Sequence, residues 1–391
     1  MLISIIAIII GYLLGSISPS YILGKILRGI DIREYGIKSA GATNTKRVLG
    51  IAPAVIFKGL LAMGIAYKLG QSLPIIYISG IAAVVGHIFP FYLNFKGGEG
   101  IATTVGILLF NLALILRENF LPFNNILVLA ILTLVLFYIT RIGAIVGLVI
   151  LPGLVYSIFQ NYGFNTVTIF TSIIIVFIWG TNIYHIKRDK LIILKAKVIE
   201  NLKLWRLFMR PLGVIIPIIY YFSDKKTALI LVAILLAIFG IVDLVRLLHS
   251  GLNIFFFQKW IHVYKKREKR RFSSMTLFLL SVFLVFLIFD KTIAITAIVF
   301  LIFGDIFSKF FGMQFGKTKI FNKTLEGTLA YFACCLVAGV FLQYFLPLSL
   351  IMILLASATA AIVELIPLGV NDNLSVGIIT SSVMFLLSKF I

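Results

Sequence analysis

Apolar runs of about 17–22 residues recur along the whole chain, the length a helix needs to cross a hydrocarbon layer. "MLISIIAIIIGYLLGS" opens it and "SLIMILLASATAAIVELI" lies near its end. About fourteen spans can be drawn, near 2–24, 50–69, 74–94, 101–116, 124–140, 142–160, 165–182, 207–222, 227–248, 273–289, 292–308, 325–346, 348–366 and 374–390. With 61% hydrophobic and 13% charged residues, a core of this size could not hide so much apolar surface from water. The expected fold is an all-α polytopic membrane protein. The first run has no basic leader and no small-residue cleavage site, so it reads as an uncleaved span.

The formal net charge of +21 is carried mainly by segments between spans, such as "HIKRDKLIILKAKVIENLKLWRLFMR" and "QKWIHVYKKREKRRF". An N-terminus outside the cell places 25–49, 95–100, 183–206, 249–272, 309–324 and 367–373 in the cytoplasm, as the positive-inside rule requires. The basic loops suit anionic lipid head groups. Nucleic acid is not an expected partner, because no aromatic-interleaved basic face accompanies the charge. The basic stretch 185–206 divides the chain into two helical transmembrane domains of about seven spans each, 1–190 and 195–391. The halves show no internal repeat and no paired broken helices, which disfavours a transporter of lipid or phosphorylated solute. Cys334 and Cys335 are neighbours in an apolar run; they cannot form an ordinary disulfide with each other and are expected to pack.

Two glycine-rich segments in the first half point to phosphate. "GIDIREYGIKSAGATNTKRVLG" (29–50) combines Gly36, Gly41 and Gly50 with Thr43 and Asn44, and with the cations Arg33, Lys46 and Arg47. "FKGGEG" (95–100) offers Lys96, Gly97 and Gly98, but sets Glu99 where a second cation would serve better. In order, "GYLLGSISPSYILGK", the 29–50 segment, "FKG" at 57–59 and "GHIFPFYLNFKGGEGIAT" resemble the acyl-phosphate-dependent glycerol-3-phosphate acyltransferases over about residues 1–190. The resemblance implies a seven-span, metal-free enzyme that transfers an acyl group from acyl-phosphate to the 1-hydroxyl of glycerol 3-phosphate at the cytoplasmic face. It assigns phosphate binding to Gly41, Asn44, Arg47, Lys96, Gly97 and Gly98, and catalytic roles to Arg47 and Asn182.

The chain departs from that pattern at four places. Ile37 stands for serine in the first loop, Val55 for aspartate before Lys58, Glu99 for lysine, and Trp179 for histidine; His185 is a candidate substitute for the last. At 4 Å and an effective dielectric of about 20, each unit interaction is worth about 4 kcal/mol, so Glu99 must be compensated for a dianionic phosphate to bind. Lys38 is the expected compensating cation.

In the second half, "GDIFSKFFGMQFGKTKIFNKTLEGTLA" (304–330) contains "GMQFGKT", which is one residue short of a phosphate-binding P-loop and follows a helix, not a strand. Asp305, Glu326, Glu364 and Asp372 are carboxylates at span ends, able to hold Mg²⁺ on nucleotide phosphates, with Lys317 and Lys323 as phosphate partners. Glu326 also suits the N-terminus of a helix. Together with "ATAAIVELIPLGVNDNLSV", this segment resembles the CTP-dependent dolichol, phytol and polyprenol kinases over about 195–391. Asp243, Arg246 and Glu268 sit where that family has upstream polar residues. The resemblance implies CTP as phosphoryl donor, a lipid alcohol of the polyprenol or diacylglycerol type as acceptor, and Mg²⁺ on Asp305, Glu364 and Asp372, which also act as the catalytic carboxylates. Phosphates fall to Lys317, Lys323, Glu326 and Asn373. The expected whole is a multi-pass cell-membrane transferase of lipid biosynthesis with both sites on the cytoplasmic face. A kinase whose first half is only a scaffold or lipid-binding module is the alternative.

Overall fold

A computed structural model of the protein describes residues 1–51, 53–117, 122–189, 211–249, 253 and 271–390. Among them, eight helices are long and apolar enough to cross a membrane, and five shorter apolar helices accompany them. The protein is an all-α polytopic membrane protein. It forms two compact units, Met1–Leu129 with Gly143–Leu191, and Ala130–Ile142 with Ile192–Ile391. Residues 130–142, expected in the first domain, group with the second unit. Glu268 and the "WRLFMR" segment lie outside the described residues.

In the first unit, α1 (Leu2–Ser16) gives way to α2 (Pro19–Arg28) where the Ser18 side chain accepts from the Tyr21 N–H and Pro19 takes the first helical position. The short α3 (Ala42–Leu49) ends at Gly50, whose φ of 77° few other residues adopt cheaply. The span expected at 50–69 is a 12-residue helix, α4 (Phe57–Lys68), about 18 Å long and too short to cross a bilayer unaided. Gly50 and Pro53 keep the residues before it out of the helix.

The longer α5 (Leu73–Ile88) packs backbone to backbone against α1. A Cβ on Gly11 would lie 2.3 Å from the Ser79 carbonyl oxygen, and one on Gly15 2.1 Å from that of Ala83. Without a hydrophobic drive between helices in lipid, small residues of this kind permit the close approach that dispersion needs. The Ser79 hydroxyl donates to the carbonyls of Ala7 (3.0 Å) and Ala62 (3.3 Å), tying α5 to both α1 and α4. α6 (Ile101–Arg117) packs on α4 through Gly59 and Gly106. α7 (Phe123–Thr140), whose residues from Ala130 on group with the second unit, and α8 (Gly143–Tyr162) follow, and α9 (Thr166–Arg188) completes the core, in which Tyr77, Asn111 and Thr171 are linked by side-chain hydrogen bonds among Met63, Ile107 and Ile174.

In the second unit, α10 (Ile215–Phe222), α11 (Lys225–Leu248) and α12 (Ser274–Ile288) precede α13 (Lys291–Phe315), which is buried at every position from Ile293 to Ile302. Around α13 pack α14 (Leu325–Leu342), α15 (Leu350–Leu365) and α16 (Asp372–Leu387). Gly304 leaves room for the ring of Tyr331, and Gly377 for the hydroxyl of Ser281. The turn between α13 and α14 is a small antiparallel hairpin, β1 (Lys319–Ile320) paired with β2 (Lys323–Thr324), an element no apolar periodicity announces.

Candidate functional site

The two glycine-rich segments of the first unit meet. The Ala40 N–H donates to the Gly97 carbonyl (3.2 Å), and a Cβ on Gly98 would lie 3.2 Å from the Gly41 Cα. Beneath them lies a buried polar centre. Lys58 Nζ donates to the Gly15 carbonyl (2.8 Å) and lies 3.1 Å from His87 Nδ1. His87, 4% exposed, fills the space under Gly98, where a Cβ would stand 2.3 Å from its Nε2. The N–H groups of Gly97 and Gly98 donate to the carbonyls of Ile88 and His87, both at 3.0 Å. These glycines are therefore needed for close approach and for closing the end of α5, and their N–H groups do not point at a ligand as a phosphate cradle would require.

Asn44 has a comparable structural place. It is 0% exposed; its Nδ2 donates to the carbonyls of Ile32 (2.9 Å), Tyr35 (3.0 Å) and Ser39 (2.8 Å), and its Oδ1 accepts from the Ile37 N–H (2.9 Å). Both polar ends are spent on folding the 32–39 loop, which leaves no group for phosphate. Asp31 and Arg33 clamp the same loop: Arg33 bonds Asp31 at 2.6 Å and donates to the Leu93 carbonyl at 2.8 Å. The Arg33 guanidinium holds the Asp31 carboxyl below its ordinary value, against the opposing pull of burial.

What faces outward is α3. Gly41 is its N-cap, and the N–H groups of a helix's first turn have no intrahelical partner. Thr43 and Arg47, four residues apart, share the exposed face of that helix, with Lys96 exposed on the neighbouring loop. Asn182 on α9 rests against α8, where a Cβ on Gly147 would lie 2.4 Å from its Nδ2. One turn earlier, Trp179 donates from Nε1 to the Leu148 carbonyl (2.9 Å), so the position expected to hold a histidine serves as a helix-to-helix tie.

Glu99 is compensated, though not by Lys38, which stays exposed. Its Oε1 accepts from Arg188 Nη1, and its Oε2 lies 3.0 Å from His185 Nε2. Arg188 also donates from Nε to Asp189 Oδ1 (3.0 Å) and from Nη2 to His185 Nδ1 (2.7 Å). Because a guanidinium only donates, this requires the imidazole proton on Nε2, facing Glu99. The hydrogen bond from Arg188 keeps the Asp189 carboxyl below its ordinary range, and the charge of Arg47 adds to the effect. Sequence reasoning reached His185 and missed Arg188. The available signal was the three-residue spacing of His185 and Arg188, which sets both on one helical face.

Residues 5–189 match the family model described as glycerol-3-phosphate acyltransferase. A glycerol-3-phosphate acyltransferase from Halalkalibacterium halodurans is 36% identical over 174 residues, which cover 42% of this chain and 80% of the relative. One from Finegoldia magna is 37% identical over 197 residues, 47% of this chain and 93% of the relative. The chain belongs to the glycerol-3-phosphate acyltransferase family. Among solved structures, the glycerol 3-phosphate form of PlsY (YgiH), an integral membrane glycerol 3-phosphate acyltransferase, is 27% identical over 48% of this chain and 89% of that one, with a TM-score of 0.36. The acyltransferase match covers the first unit almost from end to end and also takes in residues 130–142, which group with the second.

In the second unit a different cluster gathers. Lys323 Nζ lies 3.0 Å from Glu364 Oε1 and 3.0 Å from Asp372 Oδ2. Glu364 is 4% exposed; its Oε1 also accepts from the Ser308 hydroxyl (3.5 Å), and its Oε2 is buried without a hydrogen-bond partner. Asp305 pairs with Lys309 one turn on. Asp305, Glu364 and Asp372, expected to share one metal, do not gather: among the described residues no group of three or more His, Cys, Asp or Glu is placed to hold a metal ion. Glu326 accepts from the Thr318 N–H at 3.2 Å with both oxygens, anchoring the hairpin instead of contacting phosphate. Asn373 donates to the Ser274 carbonyl (2.9 Å), and Lys317 is exposed. Asp243 and Arg246 form a buried pair at 3.0 Å, and Asp243 also accepts from the Ser273 N–H and the Thr276 hydroxyl, so both serve the helix junction.

Proposed function

We propose that the protein is an integral membrane transferase of lipid biosynthesis, with an acyltransferase site in the first unit and a CTP-dependent lipid kinase site in the second, both at the cytoplasmic face. The observation that carries the first reading is the junction of the two glycine segments beside the open end of α3, with Arg47 on its outer face, in a member of the acyltransferase family. The phosphate of glycerol 3-phosphate is taken by the first-turn N–H groups of α3 and by Arg47. The 1-hydroxyl oxygen of glycerol 3-phosphate attacks the acyl carbonyl of acyl-phosphate and gives up its proton. The acyl carbon–oxygen bond to phosphate breaks, and inorganic phosphate leaves. Fixing the phosphate supplies most of the advantage, by making the encounter of hydroxyl and carbonyl effectively unimolecular. Purified protein given acyl-phosphate and labelled glycerol 3-phosphate should form labelled lysophosphatidic acid, and Arg47→Ala should lose at least about 100-fold in kcat/KM. No labelled lipid from the wild type would sink this reading.

For the second unit, support comes from Lys323 bridging Glu364 and Asp372 beside an unpartnered buried carboxylate oxygen. Magnesium fits this donor set, because it is held by one or two carboxylates together with substrate phosphates. Glu364 and Asp372 would hold it, and it would neutralise charge on the nucleotide phosphates. Lys323 then turns from its carboxylates to a phosphate oxygen. γ-Labelled CTP with a panel of lipid alcohols is the test. Label should enter lipid with the wild type and not with Glu364→Gln; absence of label with every alcohol would end the kinase reading.

A further inference from the structure

The position that should carry a loop lysine carries Glu99, and a cation arrives from another element. We propose that Arg188 is the residue that binds substrate phosphate in that lysine's stead, and that Glu99 is a positioning residue aiming its guanidinium over the glycine loops; this rests on the acyltransferase reading above. Glu99 is fixed between Gly98 and Gly100, both buried, and it reaches Arg188 and His185 with its two oxygens. Asp189 meets the other side of the guanidinium through Nε (3.0 Å) and Nη2 (3.1 Å). Two carboxylates thus present to one planar fork the charge and paired oxygens of a phosphate monoester dianion.

The guanidinium is reachable, since the Arg188 side chain is 26% exposed. The arriving phosphate displaces the Asp189 carboxylate, which is at the rim and, among the described residues, is held by the side chains of Arg188 and His185, while Glu99 keeps its hold from the loop side. The positive charge of Arg47 also acts on Asp189, and so favours an anion in the place that Asp189 vacates. Glu99 repels the incoming dianion and still serves binding, because a guanidinium held on one edge needs no reordering when phosphate takes the other. Lysine at that position would supply the charge directly; here the charge and its aim come from separate residues.

The test compares the full-length wild type with Arg188→Ala, Arg188→Lys and Glu99→Lys/Arg188→Ala. It reads kcat and KM for glycerol 3-phosphate and equilibrium binding of the labelled compound without acyl donor. Arg188→Ala should raise KM and the dissociation constant about 10–100-fold with kcat within about threefold, and Arg188→Lys should fall between, having lost the bidentate fork. The double variant, which returns a lysine to the loop, should recover most of the lost affinity although it rebuilds no ion pair. A merely structural ion pair would show unchanged KM and binding in Arg188→Ala, or no recovery in the double variant, and either result overturns the proposal while leaving the acyltransferase reading intact. Binding that depends on Arg188 without turnover would support the proposal and end the acyltransferase reading. A wild type that neither binds nor acylates would end both.

Discussion

Asn44 orders the site more than a phosphate contact would. Replacing it by alanine takes the partner from the Ile37 N–H and the Ser39 carbonyl, while the Ile32 and Tyr35 carbonyls keep the N–H groups of Tyr35 and Lys38; the cost is about 1–3 kcal/mol for each group left unsatisfied. Asn44→Ala should therefore lower the unfolding temperature in detergent along with activity, whereas Arg47→Ala, exposed on α3, should lose activity at an unchanged unfolding temperature. Asp31 adds a pH dependence whose sign follows from its lowered value. Its unfolded carboxyl titrates near the ordinary 3.8 and its folded carboxyl below that, chiefly because of Arg33. Its contribution is thus fully present above pH 3.8 and is lost as pH falls through the folded value. Thermal unfolding of wild type and Asp31→Asn should differ at neutral pH and converge in stronger acid; a constant gap would contradict the assignment.

At the scale of elements, the first unit depends on backbones that touch. A side chain at Gly15 would meet the Ala83 carbonyl, a backbone group with no room to yield, whereas a Cβ at Gly64 meets nothing within 4 Å. Gly15→Leu should cost about 1–3 kcal/mol or prevent folding, and Gly64→Ala should be tolerated, as fluorescence-detected size exclusion of the two variants would report. The same close contact supports the site, because the Gly15 carbonyl is an acceptor for Lys58, which in turn meets His87 beneath Gly98. Shortening of α4 belongs to this scale too. Apolar residues continue through 50–56, so hydropathy alone extends the span, and only Gly50 and Pro53 hint that the helix starts later.

For the molecule as a whole, two units with separate clusters of chemistry predict separable activities. On the proposed reading, Arg47→Ala in the full chain should abolish acylation and leave phosphorylation from CTP within about twofold, and Glu364→Gln should do the reverse, since substitutions that share no partner act additively. Loss of both activities in either variant would point to one shared site. The membrane character, the helical class and the two glycine-rich segments were legible in the sequence, because span length and glycine spacing are local properties of a chain. Residues far apart in sequence were not. Glu99 and Arg188 are 89 positions apart, and no periodicity joins them; their pairing exists only because α9 ends beside the second glycine loop. The same holds for Asn44, whose motif position suggests a ligand contact until burial shows every group committed, and for Asp305, whose resemblance to its fellow carboxylates says nothing of distance. Sequence alone determined which kinds of residue this protein brings to its sites. Tertiary packing decided which of them face outward and which hold the loops in place, because hydrogen bonds and ion pairs act over a few ångströms of space whatever their separation along the chain.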